Sequence, residues 1–102
     1  MYRARDQVEN ERWLAEIEEA AGRLDLDRDA RSRAVDLFLS TIPDTERSKR
    51  ATVAASLYAG ALIVGDRRSQ SAVADAVGVS RLTVQNRWKN LIEEAGLEPP
   101  SW

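Results

Sequence analysis

Five polar side chains between residues 81 and 89 have the chemistry needed to read the edges of base pairs. An arginine guanidinium can donate to O6 and N7 of guanine together, and a glutamine or asparagine amide can bond N6 and N7 of adenine. A threonine near a helix start can offer its methyl group to thymine or its hydroxyl to a phosphate. The candidates for contact with double-stranded DNA are Arg81, Thr83, Gln85, Asn86 and Lys89. For Gln85, Asn86 and Lys89 the alternative is that they are ordinary exposed residues of a surface helix, without contact to DNA.

A second set of side chains is suited to the sugar-phosphate backbone. Its members are Arg67, Arg68, Ser69, Gln70, Ser80, Lys49 and Arg50. Four of them surround the predicted start of a helix, where free N–H groups and the positive end of the helix dipole favour an anion. Residues 47–90 hold 8 basic and 2 acidic side chains, although the whole chain has a net charge of −2. This block could neutralise phosphates and release their counterions, or it could be a solubilising face.

These side chains need two crossed helices to position them, and residues 69–91 have the spacing of a helix-turn-helix. Ala74 is small where the two backbones must meet, Gly78 permits the positive φ of the turn, and Val84 fills the angle. Ser80 can cap the second helix, which in such motifs lies in the major groove. A tight helical hairpin within a bundle is the alternative interpretation of the same residues.

Two amphipathic helices are predicted before the basic block. The first spans residues 3–23 and the second follows Asp27, a suitable N-cap, and ends at Pro43. Their apolar positions recur at helical spacing. In the first helix they are Trp13, Leu14, Ile17, Ala20, Ala21 and Leu24, and in the second Ala30, Ala34, Leu37 and Phe38.

The third predicted helix, at residues 49–64, is small or apolar nearly all the way round. Such a helix belongs in the middle of a bundle, where neighbours cover every side. Ser48 is its predicted N-cap and Gly65 its predicted C-cap. With the two arms of the helix-turn-helix, the chain is therefore predicted to form an all-α bundle of five helices. We expect residues 1–102 to form a single domain, with the motif within residues 69–95.

Composition argues against catalysis and against a membrane. The chain has no cysteine and no histidine, so thiol nucleophiles, imidazole bases and the usual zinc ligands are absent. The paired carboxylates, such as Glu18 with Glu19, are adjacent on helices and therefore splay apart. No apolar run approaches the length of about 20 residues that crosses a bilayer. We expect a cytosolic protein that is not an enzyme and that binds neither a metal nor a cofactor.

Some polar and aromatic side chains are expected to have structural roles. Trp13, Tyr58 and Trp88 are interpreted as core residues rather than stacking platforms for bases. Arg87 lies where motifs of this type often have an apolar residue, and we expect it to pair with Asp75 or another acid.

Several short motifs from residue 47 onward recur in one known family. They are Arg47-Ser48, the run from Val53 to Tyr58, Ser69-Gln70, Val73-Ala74, Val79-Ser80, Thr83-Val84 and Asn86-Arg87-Trp88. In these positions the chain resembles a single cyclin-box repeat of archaeal transcription factor B and its eukaryotic counterpart. The second predicted helix fits as well, so that the resemblance covers about three quarters of the chain.

The resemblance implies a cyclin-like bundle with a central third helix and a C-terminal helix-turn-helix that contacts promoter DNA. It also implies the TATA-binding protein or another initiation factor as a partner. The sequence contains neither a zinc ribbon nor a second repeat. We therefore expect a stand-alone regulator or a diverged factor, unless the sequence is an excised domain. The alternative is a protein-interaction module that binds an initiation factor or forms a homodimer without reading DNA.

Overall fold

The computed structural model describes residues 10–43 and 45–97, and these residues form five helices without a strand. The helices are α1 (Glu11–Arg23), α2 (Arg28–Ser40), α3 (Glu46–Val64), α4 (Gln70–Val77) and α5 (Arg81–Glu94). The predicted all-α chain is confirmed for this part of the sequence. Residues 3–9 of the predicted first helix lie outside the described residues, as does the tail at 98–102.

Helix α3 is the centre of the bundle, as predicted. Every residue from Thr52 to Ala61 is buried, and α3 contacts each of the other four helices. The closest approach is to α2 at Gly60, where a Cβ atom would lie 2.9 Å from the backbone nitrogen of Ala34. Real Cβ atoms essentially never come so close to another backbone, so glycine is required here.

Side-chain caps define the starts of α2 and α3. Asp27 accepts a hydrogen bond from the Ala30 N–H (3.0 Å), as predicted. The predicted cap of α3 at Ser48 is wrong, because Thr45 has the extended backbone of a cap and accepts from the Ser48 N–H (3.2 Å). Ser48 therefore lies inside the first turn.

The sequence predicted the C-terminal end of α3 correctly, whereas α2 ends earlier than predicted. Helix α2 ends at Ser40, three residues before Pro43, with Thr41 as its C-cap. Gly65 ends α3 in the left-handed region (φ 79°), as predicted.

Helix α1 covers one side of α3 and touches α4. Its buried side chains are Trp13, Ile17, Ala20 and Ala21. At its last residue, Arg23 Nη1 donates to the Ala76 carbonyl (2.8 Å) near the end of α4. A basic side chain at a helix C-terminus satisfies a carbonyl that has no partner within the helix. Helix α1 thereby fixes the end of α4 that leads into the turn.

Candidate nucleic-acid interface

The turn between α4 and α5 is built on a left-handed glycine and two hydrogen bonds to one carbonyl. Gly78 has φ 88°, and its N–H donates to the Ala74 carbonyl (2.8 Å). The Val79 N–H donates to the same carbonyl (3.0 Å), which closes the end of α4. Ala74 is buried. The positive φ predicted for Gly78 is confirmed.

Helix α5 buries one stripe and exposes the other, as the sequence predicted. The buried side chains are Val84, Trp88, Leu91 and Ile92, and the exposed candidates are Arg81, Gln85, Asn86 and Lys89. Tyr58 of α3 meets Trp88 edge to face, with 5.4 Å between the ring centroids. This contact anchors α5 to the central helix and fixes which face points to solvent. Tyr58, Trp13 and Trp88 are core residues, as predicted.

Arg81 is held in place by two glutamines. Its Nη1 donates to Gln85 Oε1 (2.8 Å) one helical turn later and to Gln70 Oε1 (3.4 Å) on α4. The guanidinium therefore spans both arms of the motif at the exposed end of α5. Its Nε and Nη2 donors have no partner among the described residues and face outward.

Ser80 and Thr83 are occupied by the cap of α5. Ser80 Oγ accepts from the Thr83 N–H (3.2 Å), and the two hydroxyl oxygens lie 2.9 Å apart in a hydrogen bond. Ser80 as the N-cap is confirmed. Because the Thr83 hydroxyl is engaged in this way, its methyl group is the part best placed to meet a base.

The first turn of α4 has the predicted features of an anion site. Ser69 is its N-cap and accepts from the Ala72 N–H (3.0 Å), and Gln70 is its first residue. The Arg67 side chain is exposed and forms no polar contact with the residues that the structure describes. Lys49, on α3, is half-buried and is likewise without a polar partner in the described ranges.

Arg68 makes structural contacts with Leu24, Asp25 and Asp66. Its Nε donates to the Leu24 carbonyl (2.8 Å), and its Nη2 donates to the Asp25 carbonyl (2.9 Å). Its Nη1 bonds Asp66 Oδ1 (2.8 Å). The guanidinium thus ties the end of α1 to the loop after α3. Its donors point into the protein, away from a phosphate.

Arg68 also controls the acidity of its neighbour. Its hydrogen bond to Asp66, together with a bond from the Asp27 N–H to Oδ2 (3.2 Å), holds the pKa of the Asp66 carboxyl below its usual value of 3.8. The ionised form is favoured because both partners are donors. Asp66 therefore belongs to the scaffold that supports the interface.

Arg50 is likewise engaged by contacts within the fold. Its Nη1 donates to the Val77 carbonyl at the end of α4 (3.4 Å) and lies 3.8 Å from a Glu16 carboxylate oxygen. Its guanidinium also stacks over the Trp13 ring, 5.4 Å from the centroid. Arg50 and Arg23 together bind the last carbonyls of α4 and so hold the turn.

Arg87 does not pair with Asp75. Its Nη2 donates to the hydroxyl of Thr52 (3.0 Å), a fully buried residue of α3 whose hydroxyl in turn donates to the Ser48 carbonyl (2.8 Å). An acidic partner was predicted from the positive charge of Arg87 alone. The sequence offered no sign of a neutral buried acceptor 35 residues away.

One exposed residue of the motif was missed by the sequence analysis. Leu82 is 58% exposed in the first turn of α5, between the candidates Arg81 and Thr83. Its signal was available, since it is an apolar residue that lies off the inward stripe. An aliphatic side chain here can contact a thymine methyl group or an apolar surface of a partner protein.

The described residues meet the requirements of neither a metal site nor a membrane span. No cluster of acidic side chains suitable for a metal ion occurs within residues 10–43 and 45–97. No described helix is both long enough and apolar enough to span a bilayer.

Comparison with known proteins identifies relatives of the chain. The model of the family described as "Transcription factor TFIIB repeat" matches residues 9–94. That repeat is a cyclin-like fold, and the five-helix arrangement agrees with it. The relatives are initiation factors, a class of protein without enzymatic activity.

Three archaeal relatives show the extent of the similarity. The chain is 32% identical over 87 residues to "Transcription initiation factor IIB" of Pyrococcus abyssi, a match to 82% of the chain and 29% of that protein. It is 33% identical over 88 residues to "Transcription initiation factor IIB 1" of Thermoplasma volcanium, covering 79% of the chain and 27% of the relative. With "Transcription initiation factor IIB" of Archaeoglobus fulgidus it shares 40% identity over 52 residues, 51% of the chain and 16% of the relative. The chain spans under a third of the length of these relatives.

Proposed function

Because the chain belongs to the transcription factor TFIIB repeat family, we propose that it is a DNA-binding transcription protein that places α5 in the major groove of promoter DNA. The observation that carries this proposal is the exposed row of Arg81, Gln85, Asn86 and Lys89 on the helix after the turn. We also propose that residues 1–102 act as one cyclin-like domain, with the motif within residues 69–95.

The base-reading set keeps all five of its members. Arg81 is the first choice for guanine because its Nε and Nη2 remain free among the described contacts while Nη1 is held by the glutamines. Gln85 and Asn86 are suited to adenine, and Lys89 to a guanine edge or a phosphate. Thr83 contributes its methyl group, and Leu82 extends the apolar contact.

The backbone-contacting set becomes smaller. Arg67, Ser69, Gln70 and Ser80 remain, together with Lys49 as the member farthest along the chain from the motif. Arg68 and Arg50 leave the set because their guanidinium donors bind carbonyl oxygens of the protein. The proposed interface therefore relies on few phosphate contacts, and we expect modest affinity with a shallow salt dependence.

An unbiased selection from random duplexes, performed with the full chain, tests the proposal. We expect an enriched motif of a few base pairs and, for Arg81→Ala, loss of preference at one position with a discrimination cost of about 1–3 kcal/mol. Arg28→Ala is the matched control, since Arg28 is an exposed arginine in the first residue of α2, outside the motif. If the original chain fails to bind any duplex below about 100 μM at low salt, the proposal is wrong.

A second candidate function is a protein-interaction module that binds an initiation factor such as the TATA-binding protein. A groove of about 530 Å³ between α1, the start of α3 and the turn before α5 favours it. The exposed Arg47 and Glu46 line this groove beside Ala51 and Val79, which offers charged groups next to an apolar floor.

Analytical sedimentation with and without the TATA-binding protein separates the two functions. A complex that forms without DNA and is lost in Arg47→Glu supports the interaction module. A monomer that binds duplex DNA and forms no complex with the TATA-binding protein supports direct DNA binding. Self-association at micromolar concentration would instead indicate the homodimer.

A further inference from the structure

A small pocket lies where the two arms of the helix-turn-helix begin. It is an open depression of about 270 Å³ lined by Tyr58, Arg67, Ser69, Gln70, Ser71 and Arg81. Two of these six side chains are basic and none is acidic. The polar grooves beside α2 differ in this respect, because each includes at least one carboxylate, that of Asp36. The pocket is therefore suited to an anion.

Two residues that line the pocket have backbone N–H groups that the fold does not use. Ser69 Oγ and the Ser69 carbonyl accept from the N–H groups of Ala72 and Val73. The N–H groups of Gln70 and Ser71 precede them in the first turn and have no hydrogen bond among the described residues. Both therefore remain available at the positive end of the α4 dipole.

Tyr58 supplies an independent sign of a ligand. It is 5% exposed, and its hydroxyl forms no hydrogen bond with any residue that the structure describes. The oxygen is not fully enclosed, and Tyr58 is one of the residues that line the pocket. A hydroxyl that no group of the fold binds is available to water or to a ligand in the pocket.

We propose that this pocket binds one phosphate group of the DNA backbone, with the Tyr58 hydroxyl as the innermost donor. The N–H groups of Gln70 and Ser71 bond the same group, while Arg67 neutralises its charge. The assignment of the phosphate to DNA rests on the proposed function. Bound in this way, the phosphate fixes the register of α5 against the base pairs.

Tyr58→Phe is the sharpest test because it removes only the oxygen. The ring keeps its contact with Trp88, and no hydrogen bond of the described fold is lost. We expect the full chain carrying Tyr58→Phe to bind a fluorescent duplex about fivefold more weakly in anisotropy titrations, with an unchanged midpoint of thermal unfolding. Ser32→Ala is the matched control, since Ser32 is an exposed hydroxyl of α2 without a polar partner in the described ranges. It should change neither quantity.

The outcomes separate this inference from the proposed function. If the original chain binds the duplex and Tyr58→Phe binds equally well, the phosphate pocket is refuted and the DNA-binding function stands. If the original chain binds no duplex, both fail.

Free inorganic phosphate presents the same oxygen atoms as a phosphate of the DNA backbone. A second titration distinguishes these two occupants of the pocket. Sodium phosphate is compared with sodium chloride at equal ionic strength, and the amide signals of Gln70 and Ser71 are followed by NMR. Saturation below about 1 mM, together with an unaltered duplex affinity in Tyr58→Phe, would assign the pocket to free phosphate and overturn the DNA assignment.

Discussion

Replacing Arg68 with alanine should destabilise the fold and leave the DNA affinity of the folded protein nearly unchanged. The guanidinium donates to the carbonyls of Leu24 and Asp25 over 2.8 and 2.9 Å. Hydrogen bonds from a charged donor contribute more than neutral ones, so the loss of both costs about 2 kcal/mol of unfolding free energy. The partly exposed ion pair with Asp66 adds little to this free energy, because solvent screens it. For a chain of this length, the midpoint of thermal unfolding falls by about 10 °C.

Arg67→Ala is the matched control, because the two arginines are neighbours in sequence with opposite surroundings. The Arg67 side chain is exposed and has no polar partner among the described residues. Its loss should leave stability within about 0.5 kcal/mol and reduce the slope of log K against log salt by about one.

Urea unfolding followed by tryptophan fluorescence suits this pair of variants, since Trp13 and Trp88 are both buried. Duplex affinity is then measured under conditions below the unfolding midpoint of the less stable variant, so that both variants are folded. If Arg68→Ala keeps its stability and loses as much DNA affinity as Arg67→Ala, Arg68 is a phosphate contact and its structural role is refuted.

Three further predictions test the scaffold. Gly60→Ala places a Cβ 2.9 Å from the Ala34 nitrogen and should cost about 1–3 kcal/mol in urea unfolding; an unchanged midpoint would contradict the close approach of α2 and α3. Thr52→Val removes the acceptor of Arg87 and should cost about 1–2 kcal/mol, and a variant as stable as the original would show that this bond contributes nothing. The lowered pKa of Asp66, due chiefly to Arg68, means that its carboxylate stabilises the fold above about pH 4 and loses this effect as pH falls through the folded pKa. Urea midpoints should therefore fall less steeply for Asp66→Asn than for the original chain between about pH 5 and about pH 2, and parallel curves would refute the linkage.

Local features of the fold were predictable because they depend on neighbours in sequence. Asp27 and Ser80 cap helices through N–H groups three residues later, and Gly65 and Gly78 adopt the positive φ that a helix end favours. The error at Ser48 was also local, since Thr45 is an equally suitable cap only three residues earlier.

The partners of the arginines could not be predicted, because they come from distant parts of the chain. Arg68 binds a carbonyl 44 residues away, and Arg50 binds one 27 residues away. A carbonyl acceptor is present at every residue and leaves no mark in the sequence. A run of basic residues therefore predicts a positive region, although it cannot show which guanidinium groups face solvent and which tie helix ends together.

Mapping the DNA-binding surface by NMR tests the central claim most directly. The amide signals of the isotopically labelled full chain are followed while a selected duplex is added at low salt. We predict that the largest changes lie at the start of α4 and along the exposed face of α5, from Gln70 to Ser71 and from Arg81 to Lys89. Changes concentrated on α1 and α2 instead, with α5 unaffected, would contradict the placement of DNA against the helix-turn-helix.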